Sequence, residues 1–304
     1  MKLYNSLNEY FRNTFGCKVH KISINADMTC PNRDGTLSTD GCIFCDEVGS
    51  AAIPARPEIP ILTQLDNGKR VMSQRYKAKK FLAYFQAFTN TYAPADVLEK
   101  LYRTAIEDDD VVGLVVGTRP DCISKEVLKV LADIAKEKYV QIEFGIQTIH
   151  DKSLAYLNRH HTFASFTDAV QRTREYPEIK IGAHVILGIP GETEPEMIQT
   201  AVELSNIGID IIKIHQLHVI KGTRLEELYD KGEYTPMTAD EYVTLLVTFL
   251  EHLSEDIVVD RLIGDRSHDV LVAPRWSIKK RVVLNMIENE LKNRNSHQGA
   301  KYEG

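Results

Sequence analysis

Short apolar segments rich in β-branched residues alternate along this chain with longer segments that have the apolar spacing of amphipathic helices. The short segments predict strands over residues 19–25, 81–88, 111–116, 140–145, 179–187 and 211–217, and residues 257–263 are a candidate for a last strand. Helices are predicted between them, over residues 95–107, 125–137, 163–174 and 194–207. This alternation is typical of βα units in a parallel sheet.

About six such units, joined by right-handed crossovers, curl into a full or partial barrel. The predicted fold class is therefore α/β, a partial (β/α)6-type TIM-like barrel with parallel strands and a C-terminal extension. We assign residues 1–222 to the core, and we expect residues 223–304 to pack on it and to contribute to the substrate face. Functional side chains of such a barrel lie at the carboxyl ends of the strands.

The loop at residues 28–52 follows the first predicted strand and is long and rich in Gly, Asp, Asn and Pro, as a ligand-binding loop would be. It carries Cys30, Cys42 and Cys45 in the spacing C-x11-C-x2-C. Cysteine thiolates bind zinc or an iron–sulfur cluster, and structural zinc sites use four protein ligands. Three thiolates without an obvious fourth would leave one iron of a cluster open. A Cys3His zinc site that uses His20 or another histidine is the alternative.

Composition narrows the class of protein further. No run of about 18 apolar residues is present and no secretion signal begins the sequence, so we expect a cytoplasmic protein without membrane contact. Five cysteines in a chain of 304 residues favour reduced thiols over a disulfide framework.

The formal net charge of −6 argues against binding of nucleic acid over the whole surface. Charge is uneven, however. Residues 67–95 contain six basic and no acidic residues, and residues 275–294 contain six more basic residues. These segments predict a local face that binds phosphate groups, and a solvated rim is the alternative interpretation.

Several motifs occur in order between about residue 18 and residue 222. The last two cysteines enclose an aromatic residue, as Cys42-Ile43-Phe44-Cys45, and other motifs lie at residues 18–21, 30–35, 84–87, 117–122, 158–159 and 188–193. With these motifs the chain resembles the radical S-adenosylmethionine (SAM) superfamily, whose usual cysteine spacing is C-x3-C-x2-C. The longer first gap is similar to that of YhcC/YtqA-type proteins, which are related to the radical domain of the elongator catalytic subunit. Further likeness occurs at residues 261 and 273–276.

The resemblance implies one [4Fe–4S] cluster held by Cys30, Cys42 and Cys45, with its fourth iron open to the amino and carboxylate groups of SAM. One electron, supplied by a reducing partner such as flavodoxin or ferredoxin, would then cleave SAM. The products are methionine and a 5′-deoxyadenosyl radical, which can abstract hydrogen from an unactivated carbon.

The resemblance also implies contacts to SAM from residues beyond the cysteines. Phe44 is expected against the adenine, with plain core packing as the alternative. Gln86 and Asn90 end or follow the second strand, where the superfamily places groups that bind the methionine amine. This chain lacks the usual Gly-Gly-Glu at that point.

Two further segments resemble parts of the SAM site. Glu143 and Gln147, at the end of the fourth strand, resemble the segment that faces the ribose and the carboxylate, although a strand-end salt bridge would use the same glutamate. Gly188, Pro190 and Gly191, after the fifth strand, resemble the adenine-binding turn, in which glycine permits close backbone approach. A plain strand-to-helix turn would use the same three residues.

Three residues are candidates for catalysis or for direct contact with the substrate. Arg119 follows the third strand and could bind a carboxylate or phosphate bidentately, or else form a structural pair with Asp121. Lys213 and His215 are two residues apart in the sixth strand, so their side chains should point the same way. A buried, hydrogen-bonded role is the alternative for the histidine. Further candidates for the substrate rim are His184, His218, Asp260 and Arg261.

The nearest subgroup implies a substrate as well. Its resemblance to the elongator radical domain predicts an enzyme that modifies a tRNA base in the anticodon region. The reaction implied is the conversion of carboxymethylaminomethyl-uridine at the wobble position to aminomethyl-uridine, with Arg119 or Lys213 holding the carboxylate. Radical chemistry on a small metabolite is one alternative, and a zinc-stabilised RNA-binding protein without redox chemistry is another.

Overall fold

The computed structural model describes residues 2–49 and 55–304, so residues 50–52 of the predicted cysteine loop lie outside the described residues. The fold contains a seven-stranded main sheet and a separate two-stranded sheet, in which β7 (Val219–Ile220) pairs antiparallel with β9 (Leu271–Ala273). The main sheet contains seven parallel strands, which lie side by side in the order β1 (Val19–Ile24), β2 (Lys80–Phe85), β3 (Val111–Thr118), β4 (Tyr139–Gln147), β5 (Ile179–Leu187), β6 (Ile211–Gln216) and β8 (Val258–Arg261). The sheet is a curled half-barrel, which confirms the predicted fold class, and the candidate last strand is its seventh member.

Helices connect the strands. They are α1 (Leu7–Phe15), α2 (Ile61–Tyr76), α3 (Ala95–Ala105), α4 (Lys125–Ala135), α5 (Asp151–Tyr156), α6 (Phe163–Arg174), α7 (Glu194–Ile207), α8 (Arg224–Asp230), α9 (Ala239–Glu251) and α10 (Lys280–Asn293). Short 3-10 turns lie at Pro120–Cys122 and Arg275–Ile278. The four predicted helices are present, and two of them have locally encoded starts: Thr162 and Thr193 form capping boxes at the starts of α6 and α7.

The main core lies between the outer face of the sheet and the helices. Leu114 and Phe144 on the strands are fully buried, as are Leu131 on α4 and Phe166 on α6. Because a parallel sheet with helices outside and side chains inside is covered on both faces, its strands are nearly continuous apolar runs. The polar residues within those runs are therefore the exceptions that mark the barrel interior.

The two edges of the half-barrel come together through the N-terminal segment. The backbone N–H of Val259 in β8 donates to the carbonyl of Asn5 at 2.7 Å, and Ser6 forms a parallel bridge with Val259. Across the interior, the ammonium of Lys21 in β1 lies 2.7 Å from the carboxylate of Asp260 in β8. The first and last strands are thus linked although the sheet does not close.

The second predicted strand extends three residues too far. The second strand ends at Phe85, not at residue 88, because Phe88 has a φ of 59° in the left-handed region and the chain turns there. After this turn the N–H of Asn90 donates to the carbonyl of Gly117 at the end of β3. The turn brings residues 86–90 over the carboxyl ends of the strands. Within the parts of the chain that the structure describes, no helix is long and apolar enough to cross a bilayer.

Candidate active site

A cavity of about 220 Å³ opens at the carboxyl ends of the strands. It is lined by the cysteine loop, by the ends of β2 to β6 and by residues that follow β8. Most of the site residues predicted from the sequence line it: Cys30, Cys42, Phe44, Cys45, Gln86, Arg119, Glu143, Gln147, Lys213 and His215. Residues far apart in the sequence are therefore brought to one place, as expected for a barrel.

Four predicted SAM contacts are not among the described residues that line the cavity. The side-chain amide of Asn90 donates to the carbonyls of Ala87 at 3.0 Å and Gly117 at 2.9 Å, so this residue holds the turn after β2. Gly188 and Gly191 have φ values of 84° and 82° and form, with Pro190, the turn that leads into α7. The positive φ explains the two glycines without a ligand.

The sulfur of Cys42 is held in place by two donors. Nη1 of Arg159 lies 3.3 Å from it and Nδ2 of Asn32 lies 3.5 Å from it. Cys42 itself is 7% exposed, and Cys30 and Cys45 are partly buried. Donors of this kind stabilise a negative charge on sulfur, which is the form that binds metal.

The cysteine loop is also fixed through its backbone. Nη2 of Arg33 donates to the carbonyls of Cys45 at 2.6 Å and Asp46 at 2.7 Å. The amide of Asn158 donates to the carbonyl of Gly41 at 2.6 Å. These contacts shape the loop from outside, so that the three cysteines face one cavity.

The donor set fits an iron–sulfur cluster better than a single zinc ion. All five cysteines are free. Among the described residues, no group of three or more His, Cys, Asp or Glu side chains converges closely enough to hold one metal ion. His20, the fourth ligand of the zinc alternative, instead stacks on Tyr76 with ring centroids 4.6 Å apart. A multi-iron cluster is held by sulfurs that lie further apart than the ligands of a single ion, and Cys30, Cys42 and Cys45 line one cavity.

Glu143 is the centre of a buried polar network on the cavity floor, and it is 2% exposed. Its two carboxylate oxygens accept hydrogen bonds from five side chains that project inward from different strands. The donors are Lys21 Nζ at 2.6 Å, Lys213 Nζ at 2.7 Å, Tyr84 Oη at 2.7 Å, His184 Nε2 at 2.9 Å and Gln141 Nε2 at 2.9 Å. The carboxylate predicted to face SAM thus has a full set of protein partners.

Two lysines share the carboxylates of Glu143 and Asp260. Burial alone would raise the pKa of Glu143, but the ammonium groups of Lys21 and Lys213 outweigh it and hold the pKa well below its ordinary value. Burial lowers the pKa of Lys213 to about 8, and the nearby charge of Lys21 acts in the same direction. Lys213 is the more weakly paired lysine, since its Nζ lies 3.5 Å from Asp260.

Arg119 lies in the cavity wall with part of its guanidinium engaged. Its Nε and Nη2 donate to the two carboxylate oxygens of Asp121, at 3.0 and 2.8 Å. Nη1 is buried and has no partner within residues 2–49 and 55–304. The bidentate pair with Asp121 therefore exists, and the Nη1 amino group remains for a ligand.

Several residues of this site belong to sequence motifs to which no individual function was assigned above. Lys21 and Tyr84 belong to the polar network, and Asn32, Arg33 and Arg159 support the cysteine loop. The first two could have been found by one signal, a polar side chain inside a buried strand. No local signal links the other three to the cysteines, because the contacts form only in the folded loop.

Comparison with known proteins fits this geometry. A family model described as the Radical SAM superfamily matches residues 30–204, which is more than half of the chain. The chain belongs to the radical SAM superfamily. A second model, described as the Radical_SAM C-terminal domain, matches residues 209–293. The chain is therefore a radical SAM enzyme, and its cofactors are those of the superfamily, a [4Fe–4S] cluster and SAM.

Relatives of this superfamily member support the same assignment. It is 38% identical over 298 residues to the protein YtqA of Bacillus subtilis (strain 168), covering 98% of this chain and 92% of that protein. It is 31% identical over 152 residues to a tRNA uridine(34) acetyltransferase of Methanocaldococcus jannaschii, covering 49% of this chain and 27% of that protein. The resemblance to YtqA-type proteins is confirmed.

A solved structure shares the fold. The archaeal Methanocaldococcus infernus Elp3 with an N-terminal deletion superposes with a TM-score of 0.68 at 16% sequence identity. The match covers 92% of this radical SAM chain and 64% of that structure, so this chain spans under two thirds of it. The partial barrel is thus common to both proteins.

Proposed function

We propose that this radical SAM enzyme converts carboxymethylaminomethyl-uridine at the wobble position of tRNA to aminomethyl-uridine. The observation that carries the proposal is the similarity to enzymes named for uridine 34 of tRNA, the wobble nucleotide. A cationic cavity at the end of the barrel is chemically suited to a side chain that ends in a carboxylate. The substrate and a reducing partner such as flavodoxin or ferredoxin belong to the cytoplasm, where we expect the reaction.

We further propose that Cys30, Cys42 and Cys45 bind the cluster. When bound, it would supply the electron that cleaves SAM, and the resulting radical would take one hydrogen atom from the methylene of the carboxymethyl group. Return of one electron from the substrate radical and addition of water at the oxidised carbon would then release the two carbons as glyoxylate and leave the amine. Arg159 and Asn32 hold the sulfur of Cys42 toward the cavity. SAM would lie between the cysteines and the strand ends, against the cavity-lining residues Phe44, Gln86 and Gln147.

The other cavity residues would position the substrate. We propose that residues 1–222 form the catalytic core, and that the extension at residues 223–304 completes the substrate face. The extension supplies Arg261, Asp265 and Arg266 to the cavity lining. Lys213 is the proposed proton-transfer group, because its lowered pKa of about 8 leaves both protonation states accessible near neutral pH.

Basic residues beside the cavity give tRNA a place to bind. Arg275, Lys279 and Arg281 are exposed on the segment that follows β9, and Lys280 in the same segment lies 3.8 Å from the cavity-lining Asp265. This segment suits contacts with phosphates around the anticodon. In the other basic segment, Lys69 and Lys80 form ion pairs with Asp108 and Asp110, which reduces its net charge.

Modified nucleosides of cellular tRNA test the proposal. Cells that lack this gene should accumulate carboxymethylaminomethyl-uridine and lose aminomethyl-uridine, because the proposed reaction is the step between them. Total tRNA from both strains is digested and its nucleosides are quantified by mass spectrometry. Restoring the gene should restore the aminomethyl nucleoside. Identical wobble nucleosides in the two strains would reject the tRNA substrate and favour the small-metabolite alternative.

A further inference from the structure

Arg261 is a cavity-lining arginine whose guanidinium forms no hydrogen bond or ion pair with the described residues. It is the last residue of β8, it is partly buried, and it pairs in strand register with Lys213. No hydrogen bond or ion pair of its side chain is found within residues 2–49 and 55–304. A partly desolvated guanidinium without an anion is unfavourable, so a ligand that supplies one gains from binding here.

The neighbouring carboxylates are already in use. Asp260 lies 2.7 Å from the ammonium of Lys21 and 3.5 Å from that of Lys213, and both lysines also contact Glu143. Around Arg261, three cationic side chains therefore share two carboxylates: Lys21, Lys213 and Arg261 lie near Glu143 and Asp260. The charge left over is that of Arg261, which points to an anionic ligand.

A second unpaired donor lies close to this arginine. Nε2 of His215 is buried and has no hydrogen-bond partner in the described part of the chain. Burial, and next the positive charge of Arg261, hold the pKa of His215 well below its ordinary value, so the ring is neutral at pH 7. A neutral imidazole can present an N–H group at Nε2 to an acceptor.

We propose that Arg261, with His215 beside it, binds the carboxylate of the substrate side chain. This inference rests on the proposed function, in which the substrate carries a carboxymethyl group that the product lacks. A guanidinium binds both oxygens of a carboxylate in one plane, which would also fix the orientation of the methylene next to it. Of the groups predicted from the sequence for this task, Lys213 already contacts Glu143, and Arg119 keeps only Nη1 beside its bidentate pair with Asp121.

Binding of two matched tRNAs tests the assignment. One tRNA carries carboxymethylaminomethyl-uridine at the wobble position and the other carries aminomethyl-uridine. Their affinities are measured with SAM-loaded holoenzyme that is kept unreduced, so that no turnover occurs. Wild-type protein should prefer the carboxylate-bearing tRNA by about 10-fold or more, as expected for a charge-assisted pair. Arg261→Gln should remove that preference, and Arg261→Lys should keep part of it, because the charge remains without the planar fork.

A matched arginine serves as the control. Arg103 is 43% exposed on α3, pairs with Glu99 at 2.8 Å and does not line the cavity. Arg103→Gln should leave the preference unchanged. The affinity for SAM, measured in parallel, should be the same in the wild type and in Arg261→Gln. Wild-type protein and Arg261→Gln should also unfold at the same temperature.

The outcomes separate the inference from the proposed function. If wild-type protein does not distinguish the two tRNAs, the inference of a carboxylate site fails, whereas the proposed function fails only if the wobble nucleosides are the same with and without the gene. If the wild type distinguishes them and Arg261→Gln does so equally well, only the role of Arg261 is rejected. If Arg261→Gln binds both tRNAs more weakly by the same factor, the arginine contacts an RNA phosphate. If it binds SAM more weakly, the arginine contacts the methionine carboxylate. Either result would overturn the inference.

Discussion

Cys42→Ala is expected to abolish reductive cleavage of SAM and to leave the anaerobically purified protein nearly free of iron. Three thiolates form the proposed protein donor set of the cluster, and Cys42 is the most buried of them, with Arg159 and Asn32 directed at its sulfur. A variant with two thiolates leaves two irons without a protein ligand. The measurements are iron content and the yield of 5′-deoxyadenosine after reduction.

Cys17→Ala is the matched control for this prediction. Cys17 is also a free cysteine, but it precedes β1 and packs near Phe11 and Val19, away from the cavity. Its loss should leave iron content and SAM cleavage unchanged. Full SAM cleavage by the Cys42→Ala protein would contradict the ligand assignment, as would an equal loss of iron in both variants.

Glu143→Gln is expected to lower the free energy of unfolding by about 3–5 kcal/mol, the cost typical of breaking a buried ion pair by removing one partner. The substitution keeps the size of the side chain but leaves Lys21 and Lys213 with Asp260 as their remaining carboxylate. Five donors converge on Glu143, so an amide, which accepts through only one oxygen, cannot satisfy them. Denaturant unfolding measures the difference.

The pH dependence of this effect has a definite sign. The pKa of Glu143 is lowered in the folded state from its ordinary value of 4.5. Its contribution to stability is therefore present above pH 4.5 and is lost as the pH falls below that value. Glu99→Gln, which breaks an exposed pair with Arg103, should cost about 0–1 kcal/mol and serves as the control. Equal losses in the two variants would show that the buried network is not what stabilises the barrel.

The fold was predictable because its signals are local. Apolar runs marked the strands of a sheet that is covered on both faces, and threonine caps fixed the starts of α6 and α7. The end of β2 was misjudged because Phe88 is apolar and continues the pattern, whereas its left-handed backbone is set by contacts of the turn. The link between Asn5 and Val259 also depends on tertiary contacts, and no local pattern encodes it.

The sequence identified many residues that line the cavity, but it did not identify the contacts between them. Glu143 was indicated by its resemblance to the segment that faces the ribose and the carboxylate, Lys213 by its place within a strand, and the loop by its cysteine spacing. Their pairing could not be read from the sequence, because Lys21 and Asp260 are 239 residues apart and meet only when the barrel curls. Likewise Arg159 lies 117 residues from Cys42. Such contacts decide which charges are satisfied and which remain for a ligand, as at Arg261.

Electron paramagnetic resonance of the anaerobically purified and reduced protein, recorded with and without SAM, tests most directly the claim that three cysteines leave one iron open for SAM. We predict about four irons per chain and the signal of a reduced [4Fe–4S] cluster. Addition of SAM should change that signal, because the amino and carboxylate groups of SAM would bind the open iron. A protein without an iron–sulfur signal, or a signal that SAM leaves unchanged, would contradict the account.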